Sequence, residues 1–151
     1  MQSRVEEAVE TFESGYNCAQ AVFATYADIF GLDKETALKL ASPMGGGVGR
    51  MREICGTVSG MAMLAGLKDG NTNPDDEKAK EKIYELVREM SDIFRTENGT
   101  IICRELLGMK VREQSAKPEE RTKEYYVNRP CSRFVVSAAK IIEEILIEDM
   151  D

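Results

Sequence analysis

The chain has 151 residues and a formal charge of −7, because 27 Asp and Glu outnumber 20 Lys and Arg. This acidic balance argues against nucleic acid or an anionic membrane as the main partner, since both are bound through clustered Lys and Arg. Histidine is absent, which excludes Ser/His/Asp and Cys/His nucleophiles, HExxH zinc sites and Glu-x-x-His di-iron bundles.

Apolar residues recur at helical spacing along the chain, and no alternating strand pattern interrupts them. We predict an all-α fold, a single-domain helical bundle of residues 1–151 with about six to eight helices, short loops and one Gly-rich loop before Cys55. In chain order, the pattern predicts helices at about 5–12, 17–30, 33–41, 50–66, 73–98, 100–108, 115–126 and 130–146.

The clearest predicted helix begins at Asn73-Pro74, a cap followed by a proline at the first helical position. Asn98-Gly99 is expected to end it. The last helix, which starts near Pro130, carries a broad apolar stripe that is typical of a central core helix.

The expected location follows from what the sequence lacks. The most apolar stretch, Met61 to Leu67, is far shorter than the ~20 residues that a membrane-spanning helix needs. The first residues, MQSRVEEAVETFES, are acidic where a secretory signal would be apolar. We expect a cytoplasmic protein with no membrane segment, in a compartment that keeps thiols reduced.

Four cysteines stand far apart at positions 18, 55, 103 and 131, so no CxxC pair of the thioredoxin or zinc-ribbon type is present. Three of them, Cys18, Cys103 and Cys131, fall in the first turn of a predicted helix. Unpaired N–H groups and the helix dipole stabilise a thiolate there. In a reducing compartment, such cysteines are more often redox-active, catalytic or metal-binding than structural.

Arginines accompany three of the cysteines in a chain that is otherwise acidic: Arg50, Arg52, Arg104, Arg129 and Arg133. Positive charge close to a thiol favours the thiolate further. The alternative is that the four cysteines are inert core residues, since free cysteine is among the most buried residue types. We consider function the better explanation for all four together.

The segment PMGGGVGRMREICGTVSGMAML joins a glycine cluster to Cys55. It has no GK[ST] and no preceding strand, so neither a P-loop nor a Rossmann fingerprint fits. Glycines allow left-handed backbone whose N–H groups form an anion-binding nest, and we predict cofactor-binding roles for Gly46, Gly47, Gly49 and Gly56. For Gly56 and Gly60, a small-residue seam between packed helices is an equally good explanation.

Four segments carry a resemblance to a known family: GYNCAQAVF, GGGVGRMREICGTVSGMAMLAGL, ICRELLG and CSRFVVSAAKIIEEIL. Together they resemble the C_GCAxxG_C_C family of redox-active proteins, and the match runs from Gly15 to Leu146. The resemblance places the four family cysteines on Cys18, Cys55, Cys103 and Cys131. Thr57 stands where the family motif has alanine, which affects packing or hydrogen bonding beside Cys55. The resemblance implies a helical redox-active or metal-cluster-binding protein.

Our first functional hypothesis is a thiol/disulfide redox centre in which all four cysteines are catalytic. Cys18 with Cys55 and Cys103 with Cys131 are the pairs that we assign, and the protein would then be a thiol–disulfide oxidoreductase. The alternative is an iron–sulfur cluster or zinc held by the same four cysteines, which makes the protein an electron carrier or metal-binding module. A third hypothesis is a helical interaction protein with inert cysteines.

Cys55 is predicted to be the most reactive of the four, because glycines on both sides leave its sulfur accessible. The expected partner is a redox protein or a small thiol or disulfide. We expect no nucleic acid and no membrane as partners, and a homodimer stays open.

Overall fold

The computed structural model describes residues 1–109 and 115–150. Its described part contains eight α-helices and no strand, so the predicted all-α bundle is confirmed. The helices are α1 (Val5–Glu13), α2 (Cys18–Tyr26), α3 (Lys34–Ala41), α4 (Gly56–Asp69), α5 (Glu77–Asn98), α6 (Cys103–Leu106), α7 (Lys123–Asn128) and α8 (Cys131–Ile142). Within the described ranges, no helix is long and apolar enough to cross a bilayer.

Side-chain caps explain where several helices begin. The Asn17 side chain accepts the Gln20 N–H while the Gln20 side chain accepts the Asn17 N–H, a reciprocal capping box at the start of α2. Asp33 caps α3 through the Thr36 N–H. Gly99, at φ 94°, ends α5 in the left-handed conformation that glycine adopts without strain. These starts and stops match the predicted ones.

Three predicted helix starts are wrong. The helix predicted from residue 50 begins at Gly56, because the backbone before it forms a left-handed turn. The helix predicted from residue 73 begins at Glu77, since Asn73 accepts the Asp75 N–H in a local turn and Asp76 is the cap. The helix predicted from residue 115 begins at Lys123, behind the cap Thr122.

Helix α2 lies at the centre of the bundle and packs against α1, α3, α4 and α8. From Ala19 to Tyr26, all its residues but Gln20 are buried. A Cβ on Gly60 of α4 would lie 3.0 Å from Val22 Cγ1 of α2, so the missing side chain allows close approach. The small-residue seam predicted at Gly60 is therefore present. A larger share of residues is buried in α2 than in α8, which the sequence predicted as a central core helix.

A short antiparallel bridge ties the start of α4 to the start of α6. Ile54 pairs with Ile102, the Cys55 N–H donates to the Ile101 carbonyl at 2.8 Å, and the Cys103 N–H donates to the Glu53 carbonyl at 2.6 Å. These bonds satisfy backbone groups that helix ends leave open. They also hold the two helix starts that carry Cys55 and Cys103 side by side.

Candidate thiol site

All four cysteines line one small cavity with a volume of about 50 Å³. Each stands at the start of a helix: Cys18, Cys103 and Cys131 are the first residues of α2, α6 and α8, and Cys55 is the N-cap of α4. The positive ends of these helices therefore meet at the cavity. All four are free thiols. The sequence predicted that three of the cysteines lie at helix starts, and the structure adds Cys55 as the fourth.

Cys18 is the thiol that its surroundings favour as a thiolate. Its pKa is lowered from 9.0 to about 7, chiefly because the Cys55 thiol donates a hydrogen bond to its sulfur. Backbone N–H groups of Gly46, Ala19 and Cys18 itself also donate to that sulfur, against the opposing effect of burial. Cys18 is partly buried. Its surroundings therefore favour ionisation of Cys18 at a lower pH than that of an ordinary thiol.

Cys55 is the protonated member of the same pair. It is 4% exposed, and its pKa is raised well above 9.0, mainly because its proton is held in the hydrogen bond to Cys18. Its sulfur lies 3.1 Å from the Thr57 hydroxyl oxygen, which lowers the pKa of Cys55 by a smaller amount. The hydrogen bonding expected where Thr57 replaces alanine is therefore present. These features oppose the prediction that Cys55 is the most reactive thiol.

Cys103 and Cys131 complete the cavity, and the pKa of each of these two thiols is raised. Burial raises the pKa of Cys103, although Arg52 Nη1 donates a hydrogen bond to its sulfur at 3.7 Å and acts in the other direction. Burial also raises the pKa of Cys131 to about 12, and negative charge on Cys18 and Cys103 adds to the effect. These two cysteines are therefore close enough to Cys18 to feel its charge.

The Gly-rich segment forms a turn of left-handed backbone beside Cys18. Five consecutive residues, 46–50, have φ between 55° and 69°, and Arg52 has φ 61°. N–H groups within the segment bond to its own carbonyls, for example Val48 to Met44 and Arg52 to Gly46. The Gly46 N–H instead reaches the Cys18 sulfur. The turn thus donates a hydrogen bond to Cys18, although in the sequence its glycines precede Cys55.

The other glycines assigned to cofactor binding have different surroundings. A Cβ on Gly47 would lie 2.7 Å from Cys103 Cβ, and a Cβ on Gly56 would lie 2.7 Å from the Cys18 sulfur. Gly49 has open space beside it, with Met51 Cε no nearer than 4.0 Å. Gly47 and Gly56 therefore let backbone approach the cysteines closely, and cofactor binding by these glycines stays a prediction.

Val48 is expected to carry strain, because its φ of 68° lies in the left-handed region, where the Cβ of any residue but glycine is crowded. Replacing Val48 with glycine should relieve about 1–2 kcal/mol of left-handed strain and cost about 0.5–1 kcal/mol of chain entropy. A denaturant titration is expected to show a free energy of unfolding raised by about 0.5–1 kcal/mol. Val48→Ala, which shortens the side chain without relieving the backbone, should show no gain; equal gains in both variants would contradict the strain.

A cluster of two aromatic rings and an arginine lies at the cavity, and this cluster was not predicted from the sequence. Phe12, Arg121 and Tyr125 all line the cavity. The Arg121 guanidinium lies 4.9 Å from the Phe12 ring centre and 4.8 Å from the Tyr125 ring centre, which is the geometry of a cation–π contact. Nothing in the local sequence signals this arrangement, because it joins the end of α1 to a segment 109 positions later.

The residues that the structure describes include no group of three His, Cys, Asp or Glu side chains arranged to hold a metal ion. The four thiols line one cavity, and three of them already have hydrogen-bond partners: Cys18 and Cys55 bond to each other, and Cys103 accepts from Arg52. As placed, the described thiols do not form a site for a single metal ion such as zinc. The iron–sulfur or zinc hypothesis stays a prediction.

Comparison with known families gives one match. The model of the family described as "Putative redox-active protein (C_GCAxxG_C_C)" matches residues 16–145. The chain belongs to this family. The matched range includes Cys18, Cys55, Cys103 and Cys131. Neither the curated proteins nor the solved structures contain a match.

Proposed function

We propose that this C_GCAxxG_C_C protein is a thiol–disulfide oxidoreductase in which Cys18 is the nucleophile and Cys55 is its resolving partner. The observation that carries the proposal is the hydrogen bond from the Cys55 thiol to the Cys18 sulfur, in a cavity lined by all four cysteines. The thiolate is the reactive form of cysteine, and a thiol at hydrogen-bond distance is placed to form a disulfide with it.

The reaction transfers two electrons to a disulfide substrate. The Cys18 thiolate attacks one substrate sulfur, forms a mixed disulfide and releases the other half as a thiolate. That leaving thiolate takes the Cys55 proton. The Cys55 thiolate then attacks Cys18, forms the Cys18–Cys55 disulfide and releases the second half of the substrate as a thiolate. An external dithiol restores the starting state by the reverse exchange.

Cys103 and Cys131 are the second pair in the proposal. Both line the same cavity, and the charge of Cys103 acts on Cys131. Their raised pKa values make them poor nucleophiles at neutral pH. They are therefore expected to react after Cys18 and Cys55, and to hold two further electrons.

The test maps the disulfides that form during stepwise oxidation. Reduced protein receives one equivalent of hydroxyethyl disulfide, remaining thiols are alkylated, and peptides are analysed by mass spectrometry without reduction. We expect a Cys18–Cys55 link first and a Cys103–Cys131 link only with excess oxidant. In Cys55→Ser, the mixed disulfide on Cys18 should accumulate. A first link that omits Cys18 would overturn the proposal.

The iron–sulfur or zinc alternative is tested by anaerobic purification, metal analysis and a visible spectrum. Stoichiometric iron or zinc that is lost in Cys18→Ser and in Cys131→Ser would show that the four cysteines serve as ligands. Such a result would replace the thiol mechanism. Metal-free protein with four titratable thiols is the outcome that we expect from the hydrogen-bonded pair.

A further inference from the structure

A second, larger depression adjoins the cysteine cavity. It has a volume of about 490 Å³ and is open to solvent. The two share five lining residues: Asn17, Gly46, Arg52, Arg121 and Tyr125. We call the larger depression the entry groove. A volume of this size is in the range of small-molecule sites, whereas the cavity of about 50 Å³ has room for a narrow group only.

The charged side chains that line the entry groove are mostly cationic. They are Arg50, Arg52, Arg121 and one acid, Glu119. The chain as a whole has a formal charge of −7, so the charge of the groove lining is opposite in sign to that of the whole molecule. A concave site of one charge concentrates ligands of the other charge and speeds their association.

Arg121 lies at the boundary of groove and cavity, where uncharged groups hold its guanidinium. Its guanidinium donates to the carbonyl oxygens of Phe12 and Tyr16 and to the Tyr126 hydroxyl, and these oxygens are neutral. The aromatic contacts with Phe12 and Tyr125 fix its position further. A guanidinium held in this way is preorganised to receive a carboxylate.

Arg50, in the left-handed turn, is also held by backbone carbonyl groups. Its Nη1 donates to the carbonyl oxygens of Ser115 and Lys117, and its Nη2 lies 3.9 Å from Glu119. Arg52, which is 6% exposed, connects the groove to Cys103 through the bond to its sulfur. The cations therefore extend from the open groove to the thiols.

We propose that the entry groove binds low-molecular-weight disulfides whose two arms end in carboxylates. The sulfur end enters the cavity and meets Cys18, while a carboxylate lies against Arg121 and Arg50 in the groove. The same cations stabilise the thiolate that leaves after attack by Cys18. This inference rests on the proposed function, because it takes Cys18 as the nucleophile.

The test compares three dialkyl disulfides that differ in charge: dithiodipropionate, with two carboxylates; hydroxyethyl disulfide, which is neutral; and cystamine, with two ammonium groups. Each rate constant with the reduced full-length protein is divided by that of the same disulfide with mercaptoethanol, which removes differences between the leaving thiols. We expect a preference of about tenfold for the dianion over the neutral disulfide at low salt. High salt should reduce this preference.

Arg121→Gln and Arg50→Gln should each slow the dianion more than the neutral disulfide, and so lower the preference for the dianion. Arg50→Gln is included because Arg121 also supports packing against aromatic rings. Arg88→Gln is the matched control, since Arg88 is exposed on α5 and lines neither groove nor cavity. It should change nothing.

The outcomes separate the two proposals. If the neutral disulfide reacts readily and the dianion has no advantage, the entry groove does not select carboxylates, while the thiol mechanism stands. If the preference persists in both arginine variants, its source lies elsewhere and this inference is overturned. If none of the three disulfides reacts, the proposed function fails and this inference fails with it.

Discussion

Cys18→Ser should lower the rate constant for reduction of hydroxyethyl disulfide by roughly a hundredfold or more, because it removes the one thiol that its neighbours hold as a thiolate. Cys131→Ser is the matched control: it is the same substitution in the same cavity, at the thiol whose pKa is raised to about 12. The control should keep most of the first-step rate. Equal losses in the two variants would contradict a single nucleophile.

The pH dependence of Cys18 alkylation gives the same prediction a second readout. The thiolate reacts and the thiol does not, so the rate should rise with pH and level off above the pKa of about 7. At pH 7 about half of Cys18 is ionised, against about 1% of a thiol whose pKa is 9.0. A thiolate of lower pKa is also a weaker nucleophile, and this offsets roughly tenfold of the gain in thiolate fraction. Cys18 should therefore alkylate about fivefold faster than an ordinary thiol.

Peptide mass spectrometry after competitive alkylation identifies which thiol reacts first. We expect Cys18 to lead at pH 7 and Cys55 to follow only after Cys18 is blocked or removed, since burial and the hydrogen bond to Cys18 both disfavour its thiolate. Fast alkylation of Cys55 with a slow Cys18 would restore the prediction made from the glycines alone. It would also reverse the roles assigned to the two cysteines.

Gly56→Ala is expected to damage both the fold and the thiol pair. The new Cβ would lie 2.7 Å from the Cys18 sulfur and 3.1 Å from the Ala19 nitrogen, so the start of α2 must shift away from α4. Overpacking of this kind costs about 1–3 kcal/mol. We expect a denaturant titration to show that loss, and Cys18 alkylation to slow toward the rate of an ordinary thiol as its hydrogen bonds lengthen.

Gly66→Ala in the same helix is the control for this substitution. Gly66 is exposed in α4, and a Cβ there meets nothing within 4 Å. It should raise the free energy of unfolding by about 0.5–1 kcal/mol, because alanine loses less backbone entropy in a helix. If Gly56→Ala proves as harmless as Gly66→Ala, then close approach of α4 to Cys18 is not required by the site.

Local signals in the sequence were enough to predict the helical fold and many of its helix ends. Asn17 and Asp33 cap helices through bonds to residues three positions away, and such short-range bonds can be inferred from residue order. The start of α4 could not be inferred this way. It depends on bonds between residues 52–55 and 101–104, which only the folded chain brings together.

The choice between Cys18 and Cys55 was beyond the sequence for the same reason. Both cysteines have glycine or a capping residue beside them, and Cys55 has the denser glycine surroundings. The difference arises from the Gly46 N–H, which crosses from the left-handed turn to Cys18. It arises also because Gly56 has no side chain, which lets its backbone lie close to the Cys18 sulfur.

The left-handed turn at 46–50 has a consequence for the order of folding. Left-handed backbone at Val48 and Arg50 is unfavourable in an isolated chain, so the turn cannot act as a local nucleus. We expect it to form together with its contacts to Cys18 of α2 and to the 101–104 segment. We therefore expect the lowered pKa of Cys18 to appear late in folding, and a partly folded molecule to carry four thiols of ordinary reactivity.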